Sequence, residues 1–155
     1  MNKGLDIIIP ISLELDNPTK ETTVAEILDL KERNGFTKFM LATPCGGWRS
    51  KGYPPEEHFK ERAAFFAEVK EALLPHGIEC GWWDTLTVKS GLSPSFTTIV
   101  LSDGSLSPYS SCTLDSAYKA RFAKDIAAFA AIAKPSFIFL RTTIHLAEAA
   151  FASCI

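Results

Sequence analysis

Apolar residues follow two rhythms along this chain. Four short stretches are apolar at most positions: LDIIIPISLEL (5–15), TKFMLATP (37–44), ECGWWDTLTV (79–88) and SFIFL (136–140). Short runs rich in β-branched and aromatic residues fit strands of a parallel sheet, buried on both faces. Between them the spacing turns helical. In TVAEILDLKERNGF (23–36), Val24, Ile27 and Leu28, with Leu30 and Lys31, fall on one side. Thr22 or Thr23 suits the cap of that helix, and Asn34-Gly35 suits its stop. PPEEHFKERAAFFAEVKEALLPHGI (54–78) is the clearest helix, with Phe59, Ala63, Phe66, Val69 and Leu73 as its stripe. Pro55 and Glu56-Glu57 fit its first turn, where unpaired N–H groups favour negative charge. In LDSAYKARFAKDIAAFAAIAKP (114–135) Tyr118, Phe122, Ile126 and Phe129 share a side.

Strand and helix alternating in this way predict parallel βαβ units. A Ser-, Gly- and Pro-rich stretch at 89–116 interrupts them, and within it FTTIVLSDGSLSPYS (about 95–110) predicts a small hairpin turning at Asp103-Gly104. Two architectures fit: an open doubly wound sheet, or the first half of a (β/α)8 barrel, a fold that takes about 250 residues when whole. The turn LELDNPTKETT after the first strand lacks the glycines of a dinucleotide cradle. The turns leading into strands (NGFTK, PHGIE, AKPSF) are short, while the loops leaving them are long and aromatic. That asymmetry puts the decoration at the C-terminal ends of the strands, where barrel active sites lie.

Composition narrows the function classes. With 155 residues, 46% of them hydrophobic, and a net charge of −2, the chain is ordinary for a globular domain and has no basic footprint for nucleic acid. No apolar run approaches the ~20 residues of a membrane span, and the short Ile7-Ile8-Ile9 run, met by Pro10, is no signal peptide. Cys45, Cys80, Cys112 and Cys154 are scattered without a CxxC, which fits a reducing, cytoplasmic compartment. No His, Asp or Glu spacing argues for a metal, and no cofactor is expected.

The run TLDSAYKARFAKDIAAFAAIAKPSFIFL resembles a segment of bacterial (β/α)8-barrel proteins related to glycoside hydrolases. Cys112-Thr113-Leu114-Asp115, Lys134-Pro135 and Phe137-Ile138 carry that resemblance, and GFTKFMLATP and GIECGWWDT resemble the second and third strands of such barrels. The resemblance implies a partial barrel over residues 1–140, carbohydrate as the partner, and open sheet edges prone to self-association. It also implies acidic residues after the fourth strand, where Arg141-Thr142-Thr143 stands instead.

The candidate substrate-binding residues are Glu14, Asp16, Thr43, Trp48, Arg49, Trp82, Trp83 and Asp84. Glu14 and Asp16 end the first strand and can bind sugar hydroxyls at the rim, or simply sit in a solvated loop. Trp48-Arg49 after Gly46-Gly47 suits a sugar platform, or a loop tryptophan folded onto the rim. Trp82 and Trp83 must point to opposite faces of their strand, so at least one is core. The inward one, with Asp84 at the strand end, is the candidate to line a pocket. Glycoside hydrolysis typically takes two carboxyl groups about 5–9.5 Å apart, and no pair here stands out. Three readings stay open: a catalytically incomplete relative of carbohydrate-cleaving barrels, a small α/β hydrolase using Asp84 or Cys45, and a non-catalytic sugar-binding module.

Residues 141–155 read as an aberrant tail. Shifting the frame of RTTIHLAEA with permitted codons yields DDYSPRGG, which would restore an acidic strand end. The alternative is a genuine C-terminal helix over HLAEAAFASC.

Overall fold

The structure is a computed structural model; it describes residues 7–13, 19–43, 52–84, 93–140 and 153–154. The elements run β1 (Ile9–Ser12), α1 (Lys20–Asn34), β2 (Lys38–Thr43), α2 (Glu56–Leu73), a 3-10 turn (Leu74–His76), β3 (Glu79–Asp84), β4 (Thr98–Val100), β5 (Leu106–Ser111), α3 (Ser116–Ala133), β6 (Ile138–Leu140) and β7 (Ser153–Cys154). The sequence leads directly to most of them. All five apolar stripe residues of α2 are buried. Gly35 closes α1 in the left-handed region at φ 73°, as the Asn34-Gly35 stop predicts. The cap of α1 differs from expectation. Thr19, not Thr22 or Thr23, is the N-cap, and Thr22 returns its hydroxyl in a reciprocal capping box, so the helix begins at Lys20.

Four strands form a parallel sheet in the order β1-β2-β3-β6. This order is sequential, without the reversal of a doubly wound sheet. All three helices pack on one face, around one core of Leu13, Ile27, Leu41, Phe66, Val69, Trp82, Phe129 and Ala133. Trp82 stacks on Phe129 at 3.7 Å between ring centroids, and Phe66 meets Phe129 edge-on at 5.7 Å. The side chains that alternate with these (Met40, Trp83, Phe139) point to the other face, which no helix among the described residues covers. There Phe137 lies across Gly81 so closely that a Cβ at Gly81 would stand 2.0 Å from the ring. The Trp82 N–H donates to the Phe137 carbonyl at 2.9 Å and fixes that approach.

Two lysines tie the helix layer together at its lower end. Lys31 of α1 donates to the His76 carbonyl, and Lys70 of α2 donates to the carbonyl of Lys134, the residue that ends α3 at φ 45°. A second sheet, β5-β4-β7, is antiparallel. Its β4–β5 hairpin turns at Asp103-Gly104, where the Asp103 carboxylate accepts from the Ser105 amide and hydroxyl and Gly104 takes φ 82°. Ser153–Cys154 is a strand beside β4, so a helix over HLAEAAFASC does not reach those two residues; residues 141–152 lie outside the described residues. Cys112 is disulfide-bonded and Cys80 is a free thiol, pushed up to about 11 by burial. No described helix is long and apolar enough to cross a membrane.

Candidate functional site

In a parallel βαβ sheet the starts of the helices and the ends of the strands share one side. Here the residues before α2, the segment before β4 and the first turns of α3 meet on that side. Tyr53 is the hub. Its ring meets Phe96 edge-on at 5.3 Å and Tyr118 edge-on at 6.1 Å, and Phe59 lies 6.2 Å away. Tyr118 in turn stacks on Phe122 at 5.8 Å, one helical turn along α3. The start of α3 is held by Asp115, whose carboxylate accepts from the amides of Ala117, Tyr118 and Thr97. Those N–H groups, Thr97 foremost, hold its carboxyl well below the usual range. One aspartate thus caps the helix and pins the segment leading into β4.

A charged pair lies beneath the aromatic cluster. Arg121 Nε donates to Asp125 Oδ2 at 2.7 Å, and its Nη2 donates to the Pro54 carbonyl at 3.2 Å. The guanidinium carbon sits 5.3 Å from the centre of the Tyr53 ring. Asp125 is fully buried, whereas the Arg121 side chain keeps 33% of its surface exposed. The Tyr53 hydroxyl lies beside Asp125, and neither it nor Asp125 Oδ1 has a formed hydrogen bond. Burial and the Asp125 charge push the Tyr53 phenol far up; burial and Asp84 do the same to Tyr118. Both phenols therefore stay protonated at neutral pH. A cavity of about 400 Å³ opens beside them, lined by Tyr53, Pro54, Pro55, Ser93, Ser95, Phe96 and Arg121.

The residues predicted from the sequence divide. Asp84 ends β3, fully buried, on the helix-covered face with Tyr118. Thr43 stands opposite it in register at the end of β2. Trp82 is fully buried in the core, out of reach of any ligand. Trp83 is half-buried on the uncovered face, edge-on to Phe139 at 6.3 Å. The expected inward tryptophan and Asp84 therefore sit on opposite faces of the strand and do not line one pocket, because residues one apart alternate. Glu14, Asp16, Cys45, Trp48 and Arg49 lie outside the described residues. No group of three or more His, Cys, Asp or Glu among the described residues is placed to hold a metal. Sequence reasoning passed over Tyr53, Arg121 and Asp125. The signal was present: Asp125 falls on the apolar stripe of α3, four residues after Arg121, where a lone charge needs a partner.

The cavity offers the aromatic walls of Tyr53 and Phe96 and the Arg121 guanidinium, groups that bind polar molecules. The buried carboxylates are committed differently from a hydrolytic pair, since Asp125 is held by Arg121. No family model and no curated protein matches the chain.

Proposed function

We propose that the chain is a carbohydrate-binding protein built on the first half of a (β/α)8 barrel of the glycoside-hydrolase type, without a working pair of catalytic carboxyls. The observation that carries this is the sequential parallel sheet with all three described helices on one face. A barrel wall has that construction, with its ligand side at the C-terminal strand ends. Trp83 and Phe139 give the uncovered face an aromatic surface near that end, and sugar rings stack on such surfaces. The proposed location is the cytoplasm, on the absence of a CxxC motif; the Cys112 disulfide runs against it.

Calorimetric titration with a panel of oligosaccharides tests the reading. Saturable binding is expected, weakened about fivefold or more by Trp83→Ala, with no turnover of chromogenic glycosides. Absence of binding across the panel would sink it. The burial of Asp84 at a strand end favours one second reading, a small α/β hydrolase with Asp84 as its base. Turnover of a glycoside or ester that is lost in Asp84→Asn would replace the first reading with that one.

A further inference from the structure

The four-stranded sheet stops at two edges, β1 on one side and β6 on the other. Both are apolar and, among the described residues, uncovered. Among the described residues, Ile7 (48%) and Ile8 (41%) are exposed where the chain enters β1, and Ile138 (40%), Phe139 (51%) and Leu140 (42%) make up β6. Natural edge strands are usually blunted by charge or cover, and β6 carries no charge and, among the described residues, no strand on its outer side. On β1 the Leu13 N–H donates to the Ala42 carbonyl, so by alternation the polar groups of Ile8, Pro10 and Ser12 point outward. Pro10 lacks a donor, which leaves its carbonyl and the amides of Ile8 and Ser12 for a further strand.

The two edges are opposite ends of one parallel sheet, so each is the complement of the other. We infer that two copies of this chain close edge to edge, β6 of each beside β1 of the other, into an eight-stranded parallel barrel whose axis is a molecular two-fold. A two-fold along the strands keeps all eight parallel and satisfies both edges of both copies at once, which no single added strand does. Eight is also the strand number at which inward side chains just fill a barrel. The uncovered face supplies them: Met40, Gly81 and Phe137 from each copy, with Trp83 and Phe139 at the C-terminal mouth, where a ligand still reaches them.

Most of the area that a stable dimer needs is already exposed at the edges. The five exposed edge residues alone offer on the order of 450 Å² per copy, or about 900 Å² for the pair, before Met40, Trp83 and Phe137 are counted. Specific interfaces take ~1,200–2,000 Å² in total. The inference rests on the barrel-wall reading of the sheet and not on sugar binding, so the titration above and the experiment below fail separately.

Sedimentation of the full chain, under reducing conditions and over about 1–100 μM, is expected to show a monomer–dimer equilibrium with no larger species. Phe139→Lys on one edge and Ile8→Lys on the other should each weaken the dimer at least tenfold. Ile132→Lys, at a site 41% exposed on α3, should not. All three side chains are already about half in water, so each variant keeps its fold, which circular dichroism verifies. Mixing Ile8→Lys with Phe139→Glu should restore association, because one seam is then native and the other pairs opposite charges. A monomer throughout, a ladder of growing oligomers, or a dimer indifferent to both edge substitutions would overturn the proposal.

Discussion

Trp82 and Trp83 are neighbours in sequence with opposite fates. Trp82 lies flat on Phe129 at 3.7 Å and has no exposed surface. Trp83 stands on the far side of the sheet, half in water, edge-on to the 51%-exposed Phe139. The contrast recurs in the middle of the sheet, though not on β6, where Ile138 shares the face of Trp82 and is 40% exposed. Phe39, Leu41 and Cys80 share the face of Trp82 and are sealed at 0% exposure, while Met40 and Phe139 share the face of Trp83 and are not. Strand composition is apolar on both faces, so hydrophobicity of the strands does not decide which face is covered. The stripes of the helices decide it, and all three stripes meet on the Trp82 side.

That comparison can be broken most directly at the tryptophans. Trp82→Ala is expected to cost about 3–5 kcal/mol by urea unfolding, as large aromatic-to-alanine changes in a core do. Trp83→Ala, measured where the chain is monomeric, should cost less than about 1 kcal/mol. Equal losses would mean that both faces are packed. Second in size is Arg121→Ala, which leaves Asp125 buried without its partner. A broken buried pair costs ~3–5 kcal/mol; since Arg121 keeps a third of its surface in water, about 2–3 kcal/mol is expected. The double change Arg121→Met with Asp125→Leu should recover most of it, and no recovery would show that the pair does more than neutralise.

Gly81→Ala is expected to cost about 1–3 kcal/mol, because the added methyl would meet the Phe137 ring. If Phe137→Ala abolishes that cost, the close packing on the uncovered face is confirmed as local. The smallest effect is that of acid. Glu56 at the start of α2 binds Lys124 of α3 and Lys60 of its own helix, which lower its pKa from 4.5 to about 2. A depressed pKa stabilises the fold above the unfolded value, and that contribution is lost as pH falls from about 4.5 towards 2. Asp115, depressed likewise by its N–H donors, acts in the same direction. Urea midpoints should therefore fall over this range, and Lys124→Ala should flatten the part due to Glu56. A midpoint that rises on acidification would contradict the sign.

Much of the fold was legible because periodicity reports burial. The α2 stripe, the Gly35 stop, the hairpin turn and the parallel pairing all follow from local patterns. The cap of α1 was misplaced because TKETT offers three threonines, and only the reciprocal bond from Thr22 back to Thr19 singles one out. The site was less legible. Alternation dictates that Trp82 and Trp83 diverge, but not which one meets the helices. Tyr53 is far in sequence from Arg121 and Asp125, and the three become a cluster only when α2 and α3 pack side by side.

The pairing of β7 with β4 has a kinetic consequence. Ile99 is set opposite Cys154, so about fifty residues, including all of α3 and β6, must be drawn into one loop before those hydrogen bonds form. Closing such a loop is entropically unfavourable and is rewarded by only two residues of strand. The hairpin β4–β5 can form on its own, in microseconds, whereas the third strand waits for the rest of the chain. Of all the hydrogen-bonded segments, β7 should be the last to acquire protection from amide exchange during refolding and the first to lose it when the native state opens locally.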